Sequence, residues 1–240
     1  MRVFISSSLS EELLKQLENK GFEVVAFPLI ETKPIPFSKE EVIDFSPDFI
    51  IISSKNGVKH FFSVVPKEET KKATFIAVGS STAEKLKRIG ISPLIPQNFS
   101  GEGVVELLKE LGLKELKNKK FLIVRPKVAR KVVSEFLESQ GFRVKEIVVY
   151  ETVIDENVRD KLNMEIEKGF DLFAFTSPSN LKAFLELTGE KGKEALNSSK
   201  LIPIGHVTQK AIEKAGFPVF KLPEEYTLNG IVDLILKTFR

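Results

Sequence analysis

Gly21-Phe22-Glu23-Val24, leading on to Glu31-Thr32, reappears 120 residues later as Gly141-Phe142-Arg143-Val144, leading on to Glu151-Thr152. The repeat extends along the chain. Asp48-Phe49 and the run Ile50-Ile51-Ile52-Ser53-Ser54 recur around Asp171-Leu172-Phe173-Ala174-Phe175-Thr176-Ser177. Gly79-Ser80-Ser81-Thr82 recurs as Gly205-His206-Val207-Thr208, and Ser100-Gly101-Glu102-Gly103 as Thr227-Leu228-Asn229-Gly230. The order is kept while the offset grows slowly, which chance matches would not do. Residues 1–117 and 118–240 are therefore two copies of one unit.

Each copy has the same rhythm. A short β-branched run (Val3–Ile5; Phe121–Val124) precedes a helical stretch with apolar residues at about i, i+3 and i+4. These are Leu9, Leu13, Leu14 and Leu17 in one copy and Val132, Val133, Phe136 and Leu137 in the other. Gly21 and Gly141 stand where a helix C-terminus favours positive φ. A strand follows, Val24–Ile30 or Val144–Tyr150. Further strand–helix units end in a weak strand, Pro93–Ile95 or Val219–Leu222. Strands alternating with helices mean βαβ units and parallel sheets, and the near-continuous apolar strands fit sheets covered on both faces.

The prolines of Thr32-Lys33-Pro34-Ile35-Pro36 read as an extended crossing, and Thr152-Val153-Ile154-Asp155 is its partner. Two crossings at equivalent places predict a swapped layout. Residues 1–32 begin an outer lobe, 33–36 cross, 37–149 form a middle lobe, 150–154 cross back, and 155–240 complete the outer lobe. The alternative is two lobes built from 1–117 and 118–240.

Composition narrows the class. The 240 residues carry 36 Lys and Arg against 33 Asp and Glu, with no Cys. There is no disulfide, thiolate nucleophile or Cys-ligated metal. A net charge of +3 is too small to announce a nucleic-acid binder. No apolar run is long enough to span a bilayer, and the N-terminus turns polar too soon for a signal peptide, so the cytoplasm is the expected compartment. No oligomer signal stands out, and a monomer is the expected state. Abundant Lys and Glu with few Gln fit a thermophilic source. Segment 37–149 holds 20 basic and 14 acidic residues, net +6, against −3 elsewhere. A basic middle lobe suits an anionic ligand.

Parallel sheets bind ligands beyond the C-terminal ends of their strands. Small polar turns stand at those positions: Ser6-Ser7-Ser8, Ser53-Ser54-Lys55-Asn56-Gly57, Gly79-Ser80-Ser81-Thr82, Arg125-Pro126-Lys127, Thr176-Ser177-Pro178-Ser179-Asn180 and Gly205-His206-Val207-Thr208. One such turn is most simply a helix cap. Six on one edge predict a cleft rich in backbone donors, where helix N-termini favour anions. Phosphate-loop and dinucleotide fingerprints are absent, and Gly101 and Gly103 make only a lone Gly-x-Gly. His60 lies on a helical stretch and reads as a surface residue. His206 alone makes no metal site. Tyr150 ends a strand beside the crossing and is either a cleft hydrogen-bond donor or a linker anchor.

These turns, the Val149-Tyr150-Glu151-Thr152 segment and the Pro223, Tyr226-Thr227, Gly230 stretch together resemble the uroporphyrinogen-III synthase family of tetrapyrrole and heme biosynthesis, over essentially the whole chain. The resemblance implies two flavodoxin-like parallel-sheet α/β lobes joined by a two-stranded linker, an internal duplication with swapped connectivity. It implies closure of hydroxymethylbilane to uroporphyrinogen III with inversion of the last ring, without cofactor or metal, and transient contact with the preceding deaminase. It implies catalytic roles for Tyr150, Thr82 and Thr208. Substrate binding falls to Ser7, Ser53, Ser54, Lys55, Asn56, Gly79, Ser80 and Ser81, to Arg125, Lys127 and Arg130, to Thr176, Ser177, Ser179 and Asn180, and to Gly205, His206, Tyr226 and Thr227. Pro126 departs from the family's glycine-rich turn and removes one backbone donor. The rival reading is a non-catalytic two-lobed sensor of a polyanionic small molecule. A periplasmic-type binding protein would need a signal peptide. A nucleotide-dependent transferase would need a phosphate loop.

Overall fold

The computed structural model describes residues 1–239. In chain order the elements are β1 (Arg2–Ile5), α1 (Glu11–Glu18), β2 (Glu23–Ala26), β3 (Ile30–Pro34), α2 (Glu40–Ile43), β4 (Phe49–Ile52), α3 (Lys55–Phe62), β5 (Thr74–Ala77), α4 (Ser80–Arg88), α5 (Gly101–Glu110) and β6 (Lys120–Pro126). They continue with α6 (Val132–Ser139), β7 (Arg143–Ile154), α7 (Arg159–Glu167), β8 (Leu172–Phe175), α8 (Pro178–Asn197), β9 (Lys200–Pro203), α9 (His206–Lys214) and α10 (Leu228–Thr238). The chain divides into two compact units. One joins Met1–Glu31 to the chain from Val153 onward, and the other is Thr32–Thr152.

The first unit holds a sheet ordered β2-β1-β8-β9, parallel throughout. Its strands alternate their apolar side chains between two helix layers. Val3 and Ile5 pack with Leu13 and Leu17 of α1 and Ile231 and Ile235 of α10. Phe4, Phe173 and Phe175 turn the other way, onto Leu162 of α7, Phe184 of α8 and Ile212 of α9. Phe184 meets Phe173 and Phe175 edge-on at 5.1 and 5.5 Å between ring centres. Each fully buried Phe contributes roughly 1.5–3 kcal/mol by burial alone, and edge-to-face pairs add to that.

The second unit repeats the plan as β7-β6-β4-β5. Ile50, Ile52, Leu122 and Val124 pack with Val58 and Phe61 of α3 and with Ala83 and Leu86 of α4. Ile51, Phe121 and Ile123 pack with Val104 and Leu108 of α5 and Leu137 of α6. Both sheets therefore mix strands of the two sequence copies, two and two in the first sheet, and β3, β4 and β5 with β6 and β7 in the second. The parallel joins between copies are β1 with β8 and β4 with β6.

β3 lies at the edge of the second sheet, beside β7. The Ile35 N–H donates to the Val149 carbonyl and the Asp155 N–H to the Leu29 carbonyl. As one index rises the other falls by the same amount, so β3 and β7 run antiparallel. The strands that carry the chain between units thus pair with each other, and the second sheet is mixed.

Three expectations change. The run Val24–Ile30 is not one strand: it breaks over Phe27-Pro28-Leu29, between β2 and β3. Pro93–Ile95 forms only an isolated bridge, Leu94 to Ile76. Val219–Leu222 forms no strand, and the Phe220 N–H donates to the Leu201 carbonyl. Pro93 and Pro96, and Pro218 and Pro223, flank these segments and shorten them by removing backbone donors. Gly21 and Gly141 adopt the expected positive φ, +81° and +76°. Among the described residues, no helix is long and apolar enough to cross a membrane.

Candidate functional site

The turns after the strands separate into two kinds. Ser54 and Ser177 cap α3 and α8 with their own side chains, accepting from the N–H groups of Gly57 and Asn180. Gly79 and Gly205 precede α4 and α9 and have no side chain to cap with. Neither helix start has a side-chain cap, and its first N–H groups lie at the positive end of the helix dipole, which favours anions.

Thr82 and Thr208 stand at the same place, third in α4 and third in α9. Each is 2% exposed. Among the described residues neither hydroxyl has a hydrogen-bond partner, yet neither is an orphaned buried atom. The small surface each residue keeps therefore includes its hydroxyl, which remains open to an incoming group. Beside them Ser80 and Ser81 are exposed, as are His206 and Val207.

Tyr150 is buried, at 6% exposure, inside β7, which runs on to Ile154 instead of ending at Tyr150 as expected. Its hydroxyl lies 2.8 Å from that of Ser54. The Ser54 oxygen is thus shared between the cap of α3 and the phenol. The Lys127 N–H donates to the Tyr150 carbonyl, across a register shift between Arg125 and Pro126. His60 stacks on the Tyr150 ring, 5.3 Å between centres and 24° between planes. Its Nε2 lies 3.0 Å from the Thr32 hydroxyl of β3. His60 is 7% exposed, which overturns its reading as a surface residue. Burial, and then the charge of Lys59, push its pKa below the ordinary histidine value.

In the first unit the equivalent turns close on themselves. Thr176 donates through its hydroxyl to the Ser6 carbonyl and accepts at that hydroxyl from the Asn180 amide. The Asn180 amide oxygen accepts from the Leu29 N–H. Asn180 and Thr176 are structural ties there, while Ser179 and Ser7 stand at the surface or half-exposed. His206 meets the exposed Tyr226 edge-on at 5.3 Å, and Thr227 caps α10 by accepting from the Gly230 N–H.

The expected cationic turn has its charges already matched. Arg125 binds Glu146 at 2.8 Å, Lys127 binds Glu151 at 2.7 Å, and Arg130 binds Glu102 at 2.8 Å. The Glu102 carboxylate sits below its usual range because its own backbone N–H and then Arg130 favour the charged form. Unmatched cations lie elsewhere. Lys55, Lys59, Lys85 and Arg88 surround a groove of about 320 Å³ between α3 and α4, with Asn56, Ser81 and the single acid Glu84. Among the described residues none of these four has an ion-pair partner.

The family model for uroporphyrinogen-III synthase HemD matches residues 11–233. The chain belongs to the uroporphyrinogen-III synthase family. A uroporphyrinogen-III synthase of Chlorobaculum parvum is 30% identical over 89% of this chain and 88% of its own. Among solved structures, the uroporphyrinogen-III synthetase of Helicobacter pylori covers 99% of both chains with a TM-score of 0.72 at 21% identity. A mutant uroporphyrinogen III synthase of Thermus thermophilus covers 99% of this chain and 97% of its own with a TM-score of 0.64, also at 21%. These likenesses confirm the α/β fold expected for a uroporphyrinogen-III synthase.

Sequence reading alone missed His60 and the α3–α4 groove. The groove had a legible signal, since Lys55, Lys59, Lys85 and Arg88 follow two predicted binding turns at helical spacing. His60 had none, because its burying partner Thr32 lies on another element.

Proposed function

We propose that this protein is a uroporphyrinogen-III synthase that closes hydroxymethylbilane to uroporphyrinogen III with inversion of the last ring. The observation that carries the reading is the pair of uncapped helix ends, α4 and α9, each with an open threonine hydroxyl, in a chain of this family. Thr82 and Thr208 with Ser80, Ser81, Gly79, Gly205 and His206 present hydrogen-bond donors suited to carboxylate side arms. Ser53, Ser54, Lys55 and Asn56, and Ser7, Thr176, Ser177, Ser179, Asn180, Tyr226 and Thr227, complete the proposed binding turns. Free positive charge comes from the α3–α4 groove rather than from Arg125, Lys127 and Arg130, whose charges are matched by acids of their own unit.

Hydroxide leaves the substrate's hydroxymethyl carbon under the push of pyrrole nitrogen electrons, and the nitrogen gives up its proton, so that water is lost overall. The substituted carbon of the last ring attacks the resulting azafulvene. The spiro intermediate then fragments and recloses at the free position, and the proton lost from that carbon balances the one returned to the pyrrole nitrogen, so that one water is the only net loss. Without a protein the chain closes directly, without inversion. The task is chiefly one of holding a conformation.

Tyr150 is the proposed general acid for the leaving hydroxyl. Ser54 accepts from the Gly57 N–H and can donate its own proton to the Tyr150 oxygen as the phenol gives its proton away. The lobes are taken as 1–32 with 155–240, and 37–149, with 33–36 and 150–154 as linkers. The protein is further read as a cytoplasmic thermophile monomer in transient contact with the deaminase that supplies its substrate. Sedimentation, and a melting temperature above the ~45–65 °C mesophile range, test those points.

The deciding test generates hydroxymethylbilane in situ from porphobilinogen and its deaminase. With the protein added, the oxidised porphyrins should change from isomer I to isomer III. Isomer I alone, with folded protein, would favour the polyanion sensor.

A further inference from the structure

We propose that His60 is the positioning residue for Tyr150, fixing the phenol ring by stacking while Thr32 fixes the imidazole. The proposal deepens the reading of Tyr150 as the general acid, and rests on it for its kinetic part.

The duplication provides an internal comparison. By the offsets of the repeat, Tyr150 corresponds to Ile30, His60 to Ala183 and Phe61 to Phe184. Phe61 and Phe184 are both fully buried on equivalent helices, so the register is right. Where the strand carries tyrosine, the facing helix carries histidine. Where the strand carries isoleucine, the helix carries alanine, and both pack in an ordinary apolar core. The helix thus needs no ring at this position for its own packing. A histidine nonetheless occurs here, where burial of a polar ring carries a penalty, and the tyrosine is what it touches.

The geometry constrains the phenol at two points from one helix. Ser54, the cap of α3, is at its hydroxyl. His60, well along the same helix, lies against its face. Thr32 on β3 then holds His60 from the side. Strand β3 runs beside β7, so the anchor of the imidazole comes from the strand neighbouring the tyrosine's own. A phenol limited by its face and its oxygen has one rotamer. That is the condition for delivering a proton to a fixed point, and misplacement by about 1 Å can cost on the order of 100-fold.

The test combines kinetics with a spectroscopic signal. In hydroxymethylbilane turnover to isomer III, His60→Ala should lower kcat about tenfold or more with KM within about twofold. His60→Phe, which keeps a ring, should restore most of the rate. In a Tyr150→Phe background His60→Ala should have no further effect on kcat, because residues acting as a unit are not additive. Tyr150 and Tyr226 are the only tyrosines and there is no Trp. In a Tyr226→Phe background the near-ultraviolet circular dichroism band therefore reports Tyr150 alone, and His60→Ala should flatten it. If His60→Ala is too unstable to assay, Thr32→Val should give a smaller effect of the same kind. Wild-type kcat in folded His60→Ala, an undiminished loss in the Tyr150→Phe background, or an unchanged band would each overturn the proposal. If Tyr150→Phe is itself fully active, the general-acid reading fails. The band then still decides whether His60 holds the ring.

Discussion

The Tyr150 hydroxyl shares the Ser54 oxygen with the backbone N–H of Gly57, at 2.8 and 2.9 Å. The phenol and the first turn of α3 are therefore one hydrogen-bonded unit. Tyr150→Phe leaves Ser54 its helix-cap role and removes only the phenolic hydroxyl. We expect kcat to fall about 100-fold, the lower range for loss of a general acid, with the denaturation midpoint nearly unchanged. Ser54→Ala also removes the cap, worth about 1 kcal/mol, so it should lose both rate and stability. Isomer analysis and urea unfolding of the two variants separate these effects. Full activity of Tyr150→Phe would remove the acid role.

Thr82 and Thr208 keep open hydroxyls on otherwise buried side chains. Thr208→Ala should reduce isomer III formation, while Lys193→Ala should not. Lys193 is half-exposed and, among the described residues, pairs only with Glu190, three residues away on the same helix, an arrangement worth a few tenths of a kcal/mol. Equal rates for the two variants would move the site elsewhere.

Gly103 and Gly230 occupy the same step of the repeat, and the structure shows why neither has a side chain. A Cβ on Gly103 would come within 2.0 Å of the Asn98 carbonyl oxygen, and one on Gly230 within 2.0 Å of the Glu225 carbonyl oxygen. The backbone doubles back onto the helix start five residues on, in both units. Gly103→Ala and Gly230→Ala should each destabilise by about 1–3 kcal/mol or more through overpacking. Gly57→Ala meets Ile52 at 3.0 Å, a side chain that can shift, and should cost less. Unfolding midpoints in urea check the ranking.

The repeat made most of the strands and the equivalence of these glycines legible, because each is encoded by residues close together in one copy. What stayed hidden depended on partners distant in sequence. Arg125, Lys127 and Arg130 looked free until Glu146, Glu151 and Glu102 were brought to them. His60 looked solvated because a helix's apolar spacing does not reveal a strand arriving from residue 32. The terminal strands failed where flanking prolines removed the donors that a ladder requires, although their apolar residues suggested otherwise.

The unmatched cations of the α3–α4 groove give a charge prediction. Lys59→Glu with Arg88→Glu reverses two charges that have no ion-pair partner among the described residues, so folding should change little. For a substrate with several carboxylates KM should rise severalfold, and more at low salt than at high salt, since screening weakens exposed charges. Arg125→Gln instead leaves the half-buried Glu146 without its partner and should lower stability. Salt-dependent KM values and unfolding curves distinguish the two. Equal KM for the groove variant and wild type at low salt would show that the carboxylates bind elsewhere.

His60 also sets a pH dependence of stability. Its pKa in the folded protein lies below the ordinary value near 6.5, so the unfolded chain takes up the proton first as pH falls. The stability of the neutral, buried ring is fully present above the unfolded value. It is lost progressively as pH drops through that value toward the folded one. Wild-type protein should therefore lose stability between about pH 7 and pH 5 in excess of His60→Phe, whose ring does not titrate. Carboxylates such as Asp48 act the same way only at more acidic pH. Burial raises its pKa, but the Lys120 N–H and Lys119 outweigh this and hold it below the usual aspartate range. Urea midpoints at pH 8, 7, 6 and 5 for wild type and His60→Phe isolate the histidine. Parallel curves for the two proteins across this window would show that His60 carries no linkage to folding.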